Sequence, residues 1–243
     1  MKVVFMGTPE FAVPFLNRLL ESGQDVVGVY TRKPAKRERG QRLHPTPIHE
    51  LALAKNVPVF TPSTFKNGKN IDALVVLKPD LIVVVAYGLL LPRELLDIPR
   101  YGCLNIHPSL LPRWRGCAPM ERCLMSGDTE TGICLMKIAE GLDDGDIVSS
   151  RKIPIEMDTD IESLRRNLAP IGIGMLMDAL ETLERDGFIP ATKQDDTLAT
   201  FSPKIAEEDA LVNWQNDSIR EIHGKIMALN DSCGVHLLHS GTR

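Results

Sequence analysis

The sequence predicts an α/β protein: a mainly parallel twisted sheet with helices on both faces. Three observations carry this. Short apolar runs alternate with helical patterns through the first half. The runs are continuously apolar, as strands buried on both faces require. Residues suited to chemistry stand at the ends of two of them, where open α/β sheets hold their ligands. With 243 residues, 43% hydrophobic and 25% charged, the chain has enough apolar material for one substantial core.

The first strand, Lys2–Met6, runs into Gly7 and a helix opening near Pro9. This turn does not read as a dinucleotide loop. GTPEFA lacks the GxGxxG pattern, and Tyr30-Thr31-Arg32 stands at the end of the second strand, Val26–Tyr30, where an acidic residue would hold a ribose. Arg32, Lys33, Lys36, Arg37, Arg39 and Arg42 follow, opposed only by Glu38, in a chain whose net charge is −4. The overall balance argues against general nucleic-acid affinity, while the local cluster suits either a solvated loop or a phosphate contact. Val57–Phe60, Leu81–Val85 and Cys103–Ile106 complete the run of buried strands.

Asn105 and His107 lie two residues apart at the end of an apolar strand, so a period of two points both side chains to one face. Pro108 and Pro112 then stop regular structure and stiffen the loop between them. Thr131–Ile138 and Ile147–Ile155 alternate apolar with polar residues, as antiparallel strands do, and the Gly-flanked turn that joins them carries Asp143. An amide, an imidazole and a carboxylate together suit acyl-type transfer to an amine. Thr159-Asp160-Ile161-Glu162 reads as a capping box, opening a helix with Leu164, Leu168, Ile171, Met175 and Leu183 on one stripe and ending near Asp186-Gly187. Pro170 falls inside it. Proline costs roughly 3 kcal/mol in a helix interior, which predicts a kink or a break.

The segment Asn105-Ile106-His107-Pro108-Ser109-Leu110-Leu111-Pro112, with Asp143 downstream, resembles the folate-dependent formyltransferases. Phe5-Met6-Gly7-Thr8-Pro9-Glu10-Phe11-Ala12, Val84-Val85-Ala86-Tyr87-Gly88, Pro112-Arg113-Trp114-Arg115-Gly116 and Gly141-Leu142-Asp143-Asp144-Gly145-Asp146 are similar, within that family, to the branch that formylates methionyl-tRNA. The resemblance runs from Met1 to about Gly234. It implies a Rossmann-like formyltransferase fold, 10-formyltetrahydrofolate as donor, and the α-amine of initiator methionyl-tRNA as acceptor. It implies catalytic roles for Asn105 and His107 as donors to the developing oxyanion, and for Asp143 as partner of His107 and proton acceptor. Strand-end backbone from Val85 through Ala86, Tyr87, Gly88, Leu89 and Leu90 to Leu91 is the expected wall for a flat pterin. Ser109, Leu110, Leu111 and Pro112 are implied to line the folate pocket, the Gly7 turn to lie near the amino-acid part of the substrate, and Arg39 and Arg42 to meet the tRNA. Arg113 and Trp114 suit either a substrate contact or a packed surface anchor.

Cys103, Cys117, Cys123, Cys134 and Cys233 show no CxxC spacing and read as reduced thiols, four of them buried. No metal site is expected; His236 and His239 stand three apart without a third ligand. The N-terminus is no secretory signal and no run reaches the length of a membrane span, so a cytoplasmic protein is expected; a monomer is expected as well. The expected division is a catalytic domain over 1–190 followed by 191–243 as a linker and the truncated start of a tRNA-binding domain. Only 53 residues follow Pro190, and Asn230-Asp231-Ser232-Cys233-Gly234 stands where the family has Asn-Pro-Trp-Pro-Gly. Thr200–Ile205 and Val212–Trp214 resemble the family's linker, and Ile222–Leu229 the first helix of its C-terminal domain. The short ending keeps two other readings open: formyl transfer to a small amine, such as an amino-sugar nucleotide or glycinamide ribonucleotide, and a non-catalytic folate- or tRNA-binding remnant. The intact triad opposes the second.

Overall fold

The computed structural model describes residues 1–37, 42–231 and 234–237. In chain order its elements are β1 (Lys2–Gly7), α1 (Val13–Glu21), β2 (Asp25–Tyr30), β3 (Ala35–Arg37), β4 (Arg42–His44), α2 (Pro47–Ala54), β5 (Val59–Phe60), α3 (Asp72–Leu77), β6 (Leu81–Val85), α4 (Arg93–Leu96) and β7 (Cys103–His107). They continue with β8 (Arg115–Gly116), α5 (Pro119–Met125), β9 (Glu130–Lys137), β10 (Ile147–Pro154), α6 (Ile161–Asp186), β11 (Phe201–Ser202), β12 (Leu211–Val212), α7 (Ile219–Leu229) and β13 (His236–Leu237).

Seven strands form the main sheet in the order β10-β9-β7-β6-β1-β2-β5. The five from β7 to β5 are parallel, and β9 and β10 continue the sheet antiparallel. This is the mainly parallel α/β fold that the apolar runs predicted. Alternate residues of the central strands face opposite layers: Val3, Phe5, Leu81, Val83 and Val85 join one core with α1, α5 and α6, while Val4, Met6, Ile82 and Val84 join another with α3 and α4. Both layers are apolar, which explains why the runs are unbroken rather than alternating.

The order reverses at β1, whose successors lie on one side as β2 and β5 and on the other as β6 and β7. The loops after β1 and β6 therefore leave the sheet in divergent directions and open a crevice between them. Gly7 ends β1 in register with Val85, and the Thr8 hydroxyl donates to the Tyr87 carbonyl at 3.0 Å, tying the two crevice loops together.

Three local expectations shift. The cap of α6 lies one residue later than expected: the Asp160 carboxylate accepts from the Ser163 backbone at 2.7 Å, and the Ser163 hydroxyl accepts from the Asp160 backbone at 3.0 Å. Pro170 neither breaks nor ends the helix, which runs from Ile161 to Asp186 with Pro170 exposed. The stripe that includes Leu164, Leu168, Met175 and Leu183 is buried against the sheet, and that packing outweighs the local proline penalty. The last helix starts at Ile219 rather than Ile222, because Ser218 and Glu221 form a capping box.

Nor does the chain part company with the sheet at Pro190. Thr192 bridges Ile147, Phe201 and Ser202 pair with Arg115 and Gly116, and Gly224 of α7 packs against the end of α5. Residues 192–202 act as a strap across the sheet's antiparallel edge. Among the described residues no helix is long and apolar enough to cross a membrane.

The Ser163 backbone N–H holds the Asp160 carboxyl below its usual range. The cap is therefore at full strength at neutral pH and weakens as pH falls through that lowered value. Asp160→Ala is expected to cost about 1 kcal/mol of stability at neutral pH. Denaturant titrations should show the difference narrowing in strong acid, and an equal loss under both conditions would assign the effect to something other than the charged cap.

Candidate active site

Asn105 and His107 project from the C-terminal end of β7, flanked in register by Val84 of β6 and by Met136 and Cys134 of β9. Asp143 comes from the turn between β9 and β10. The three side chains form one connected group. The Asn105 amide donates to Asp143 Oδ1 at 3.4 Å, His107 Nδ1 lies 3.6 Å from Asp143 Oδ2, and the Gly116 backbone N–H donates to the same Oδ2 at 2.8 Å. The Asp143 carboxylate is thus held from three directions. Its side chain remains 18% exposed, against 5% for His107, so Asp143 is the more open of the two.

The other ring nitrogen of His107 is also engaged: Nε2 lies 2.9 Å from the Trp114 carbonyl. A carbonyl only accepts, so Nε2 carries a proton and spends it there. The expectation that His107 donates to an oxyanion is therefore not met in this geometry. Asn105 fits that task better, since its amide nitrogen has a second hydrogen beyond the one aimed at Asp143.

Left-handed backbone concentrates around this group. Trp114 (φ 63), Asp143 (φ 49) and Ala86 (φ 48) are non-glycine residues with positive φ, beside Gly88 (φ 80) and Gly116 (φ 120). Such conformations persist where surrounding contacts over-determine them.

The group opens into a cavity of about 680 Å³ in the crevice, of the size that small-molecule sites occupy. Of the predicted pterin wall, Ala86, Tyr87, Gly88, Leu89, Leu90 and Leu91 line it together with Val84, and Gly141, Leu142 and Asp143 also line it. Val85 does not. The period of two turns it into the core on the other face of the sheet, where it is fully buried. Pro9, Glu10 and Phe11, which follow the Gly7 turn, line the cavity as well.

Ser109, Leu110, Leu111 and Pro112, expected in the pocket, are not among its lining. The Ser109 hydroxyl turns inward to donate to the Arg113 carbonyl at 2.6 Å, and Leu110 packs on Gly132. Leu111 is buried with Cys134, Met136 and Ile147, and the Pro112 carbonyl accepts from the Thr200 backbone at 3.2 Å. A cis peptide joins Leu111 to Pro112. This segment shapes the turn that brings the Trp114 carbonyl to His107. Arg113 and Trp114 are anchors as well: the guanidinium stacks 4.4 Å above the indole, and both donate to Asp128.

Several lining residues have no signal in the sequence. Cys117, Met120 and Glu121 reach the cavity because β8 leads straight into α5, and Arg165 does so from α6, paired with Glu121 at 3.1 Å and Asp231 at 2.8 Å. Of the five thiols, four of which were expected to be buried, Cys103, Cys123 and Cys134 are buried, Cys117 is exposed, and Cys233 lies outside the described residues. Burial pushes the Cys103 and Cys123 thiols up to about 12 and that of Cys134 to about 11, leaving all three protonated and unreactive. Arg39 lies outside the described residues; Arg42 begins β4, which pairs antiparallel with β3. Among the described residues no group of three or more His, Cys, Asp or Glu side chains converges as a metal site.

Residues 1–180 match the family described as formyl transferase. The methionyl-tRNA formyltransferase of Geobacter sulfurreducens is 44% identical over 220 residues, covering 90% of this chain and 69% of that protein. The enzyme of the same name from Paramagnetospirillum magneticum is 42% identical over 243 residues, covering 100% of this chain and 79% of its own length. Among solved structures, an N-formyltransferase from Helicobacter canadensis in complex with folinic acid and dTDP-3-aminofucose superposes with a TM-score of 0.72 at 18% identity, covering 99% of this chain and 85% of that one.

Proposed function

Because the chain belongs to the methionyl-tRNA formyltransferase family, we propose that it transfers the formyl group of 10-formyltetrahydrofolate to the α-amine of initiator methionyl-tRNA, a cytoplasmic step that prepares translation initiation. The observation that carries this reading is the union of Asn105, His107 and Asp143 around one carboxylate, at the mouth of a cavity with an apolar strand-end wall.

In this reading the pterin lies along Ala86–Leu91 and presents its formyl carbon to Asn105. Attack by the neutral amine forms the new carbon–nitrogen bond and puts negative charge on the formyl oxygen, which the Asn105 amide stabilises. Asp143 collects the proton released by the attacking nitrogen, directly or through a water. Collapse of the tetrahedral intermediate breaks the bond to N10 of the folate, and that nitrogen takes up a proton as it leaves. His107, fixed by the Trp114 carbonyl, stands against Asp143 and orients it.

Labelled formyl transfer from 10-formyltetrahydrofolate tests the reading, with charged initiator tRNA and dTDP-3-aminofucose offered in parallel. Transfer to methionyl-tRNA alone is the expected result. Preference for the sugar nucleotide would move the chain to a small-amine reading, and transfer to neither would leave a binding remnant. The sequence relationship favours the tRNA acceptor, since the 44% relative carries that name and the sugar enzyme shares the fold at 18% identity.

Arg39 and Arg42 are proposed to meet tRNA phosphates. The double alanine variant should bind tRNA with a salt dependence shallower by about one unit of slope for each phosphate it no longer neutralises, with folate affinity unchanged. A slope equal to that of the parent chain would make this stretch a solvated loop.

A further inference from the structure

Gln194 is 5% exposed and lies on the strap that follows Pro190, far in sequence from every residue of the proposed reaction. Its amide nitrogen donates to the Asp143 carbonyl at 2.8 Å and to the Gly145 carbonyl at 2.7 Å. Its amide oxygen accepts from Arg115 Nε at 3.1 Å and from an Arg115 terminal nitrogen at 2.8 Å. The orientation of the amide is set by chemistry, because a guanidinium only donates and two carbonyls only accept. Both donors and both acceptor positions of one side chain are used.

We infer that Gln194 is a positioning residue for Asp143, holding the left-handed Asp143 turn against β8. Three observations converge on it. Asp143 has φ 49, a conformation that needs outside contacts to persist, and Gln194 grips its backbone carbonyl. Gln194 simultaneously fixes Arg115, which stands between the Trp114 carbonyl that engages His107 and the Gly116 N–H that engages Asp143. Arg115 is itself 5% exposed and closes the arrangement by pairing with Asp196 at 2.7 Å. One neutral amide thus sets the spacing between the carboxylate and the two backbone groups that orient the site.

A glutamate at 194 keeps the acceptors for Arg115 and removes both donors, setting a carboxylate against two carbonyl oxygens. The inference rests on Asp143 acting in the proposed formyl transfer, so the test has a kinetic arm and an arm that needs no substrate. In the kinetic arm, Gln194→Glu should lower kcat about a hundredfold, the cost of a misplacement near 1 Å, with the KM for the folate donor little changed. Lys193→Ala, at the exposed neighbour of Gln194 on the same strap, should leave kcat near that of the parent. In the second arm, the crystal structure of Gln194→Glu should show the Asp143 carboxylate displaced from the Gly116 N–H, with Gln194→Met as the alternative variant if the glutamate protein does not fold. If the parent chain transfers no formyl group to any acceptor, the functional reading fails, and the crystal structure still decides the inference. A kcat equal to the parent's, or an Asp143 carboxylate still 2.8 Å from the Gly116 nitrogen, would overturn it.

Discussion

Alanine at Asn105, His107 or Asp143 is expected to slow formyl transfer at least about a hundredfold, the usual effect of removing a group that acts on developing charge. The three losses should not add. The side chains meet at one carboxylate, so the first removal disorganises what the others do, and a double variant should be little slower than the worse single one. Folate affinity, measured by calorimetry, should change little, because the proposed pterin wall is Ala86–Leu91. Near-normal turnover in Asp143→Ala would remove the proton acceptor from the mechanism. Turnover that fell only in His107→Ala would return the oxyanion role to His107.

Gly116→Val is expected to cost both stability and rate. Gly116 has φ 120, where a side chain is strained, and a β-carbon there would lie 2.8 Å from the Ser202 carbonyl oxygen. Strain of this kind amounts to about 1 to 3 kcal/mol. Relieving it would push β8 away from β11 and carry the Gly116 N–H off Asp143, so the rate should fall about a hundredfold. Gly187→Ala is the matched control: it ends α6 at φ 75 with open space around it and is not among the residues that line the cavity. Both variants should melt at lower temperature. Only Gly116→Val should lose transfer rate, and equal activity in the two would mean that Asp143 does not depend on β8.

The strands are legible because burial on both faces leaves an unbroken apolar run, and the pairing of Asn105 with His107 follows from the period of two. That same period excludes Val85 from the cavity, since a continuous strand-end wall ignores that successive side chains face opposite layers. Ser109–Pro112 could not be placed from sequence, because its direction is set by contacts with Arg113, Cys134 and Thr200 rather than by its own composition. Gln194 is invisible for a related reason. A glutamine between Lys193 and Asp195 reads as a solvated polar residue, and only the return of residues 192–202 along β8 and β10 buries it. Pro170 shows the opposite error: a local penalty is real but smaller than the packing of a long amphipathic helix against the sheet.

Delivery of the formyl group to Asn105 is decided by a crystal structure of the chain with a stable folate formyl-donor analogue bound. The pterin should lie against Ala86–Leu91, with the formyl oxygen about 2.7 to 3.1 Å from the Asn105 amide nitrogen and the formyl carbon open to attack from the side of Pro9 and Phe11. A pterin seated elsewhere, or a formyl oxygen beyond reach of Asn105, would contradict the mechanism.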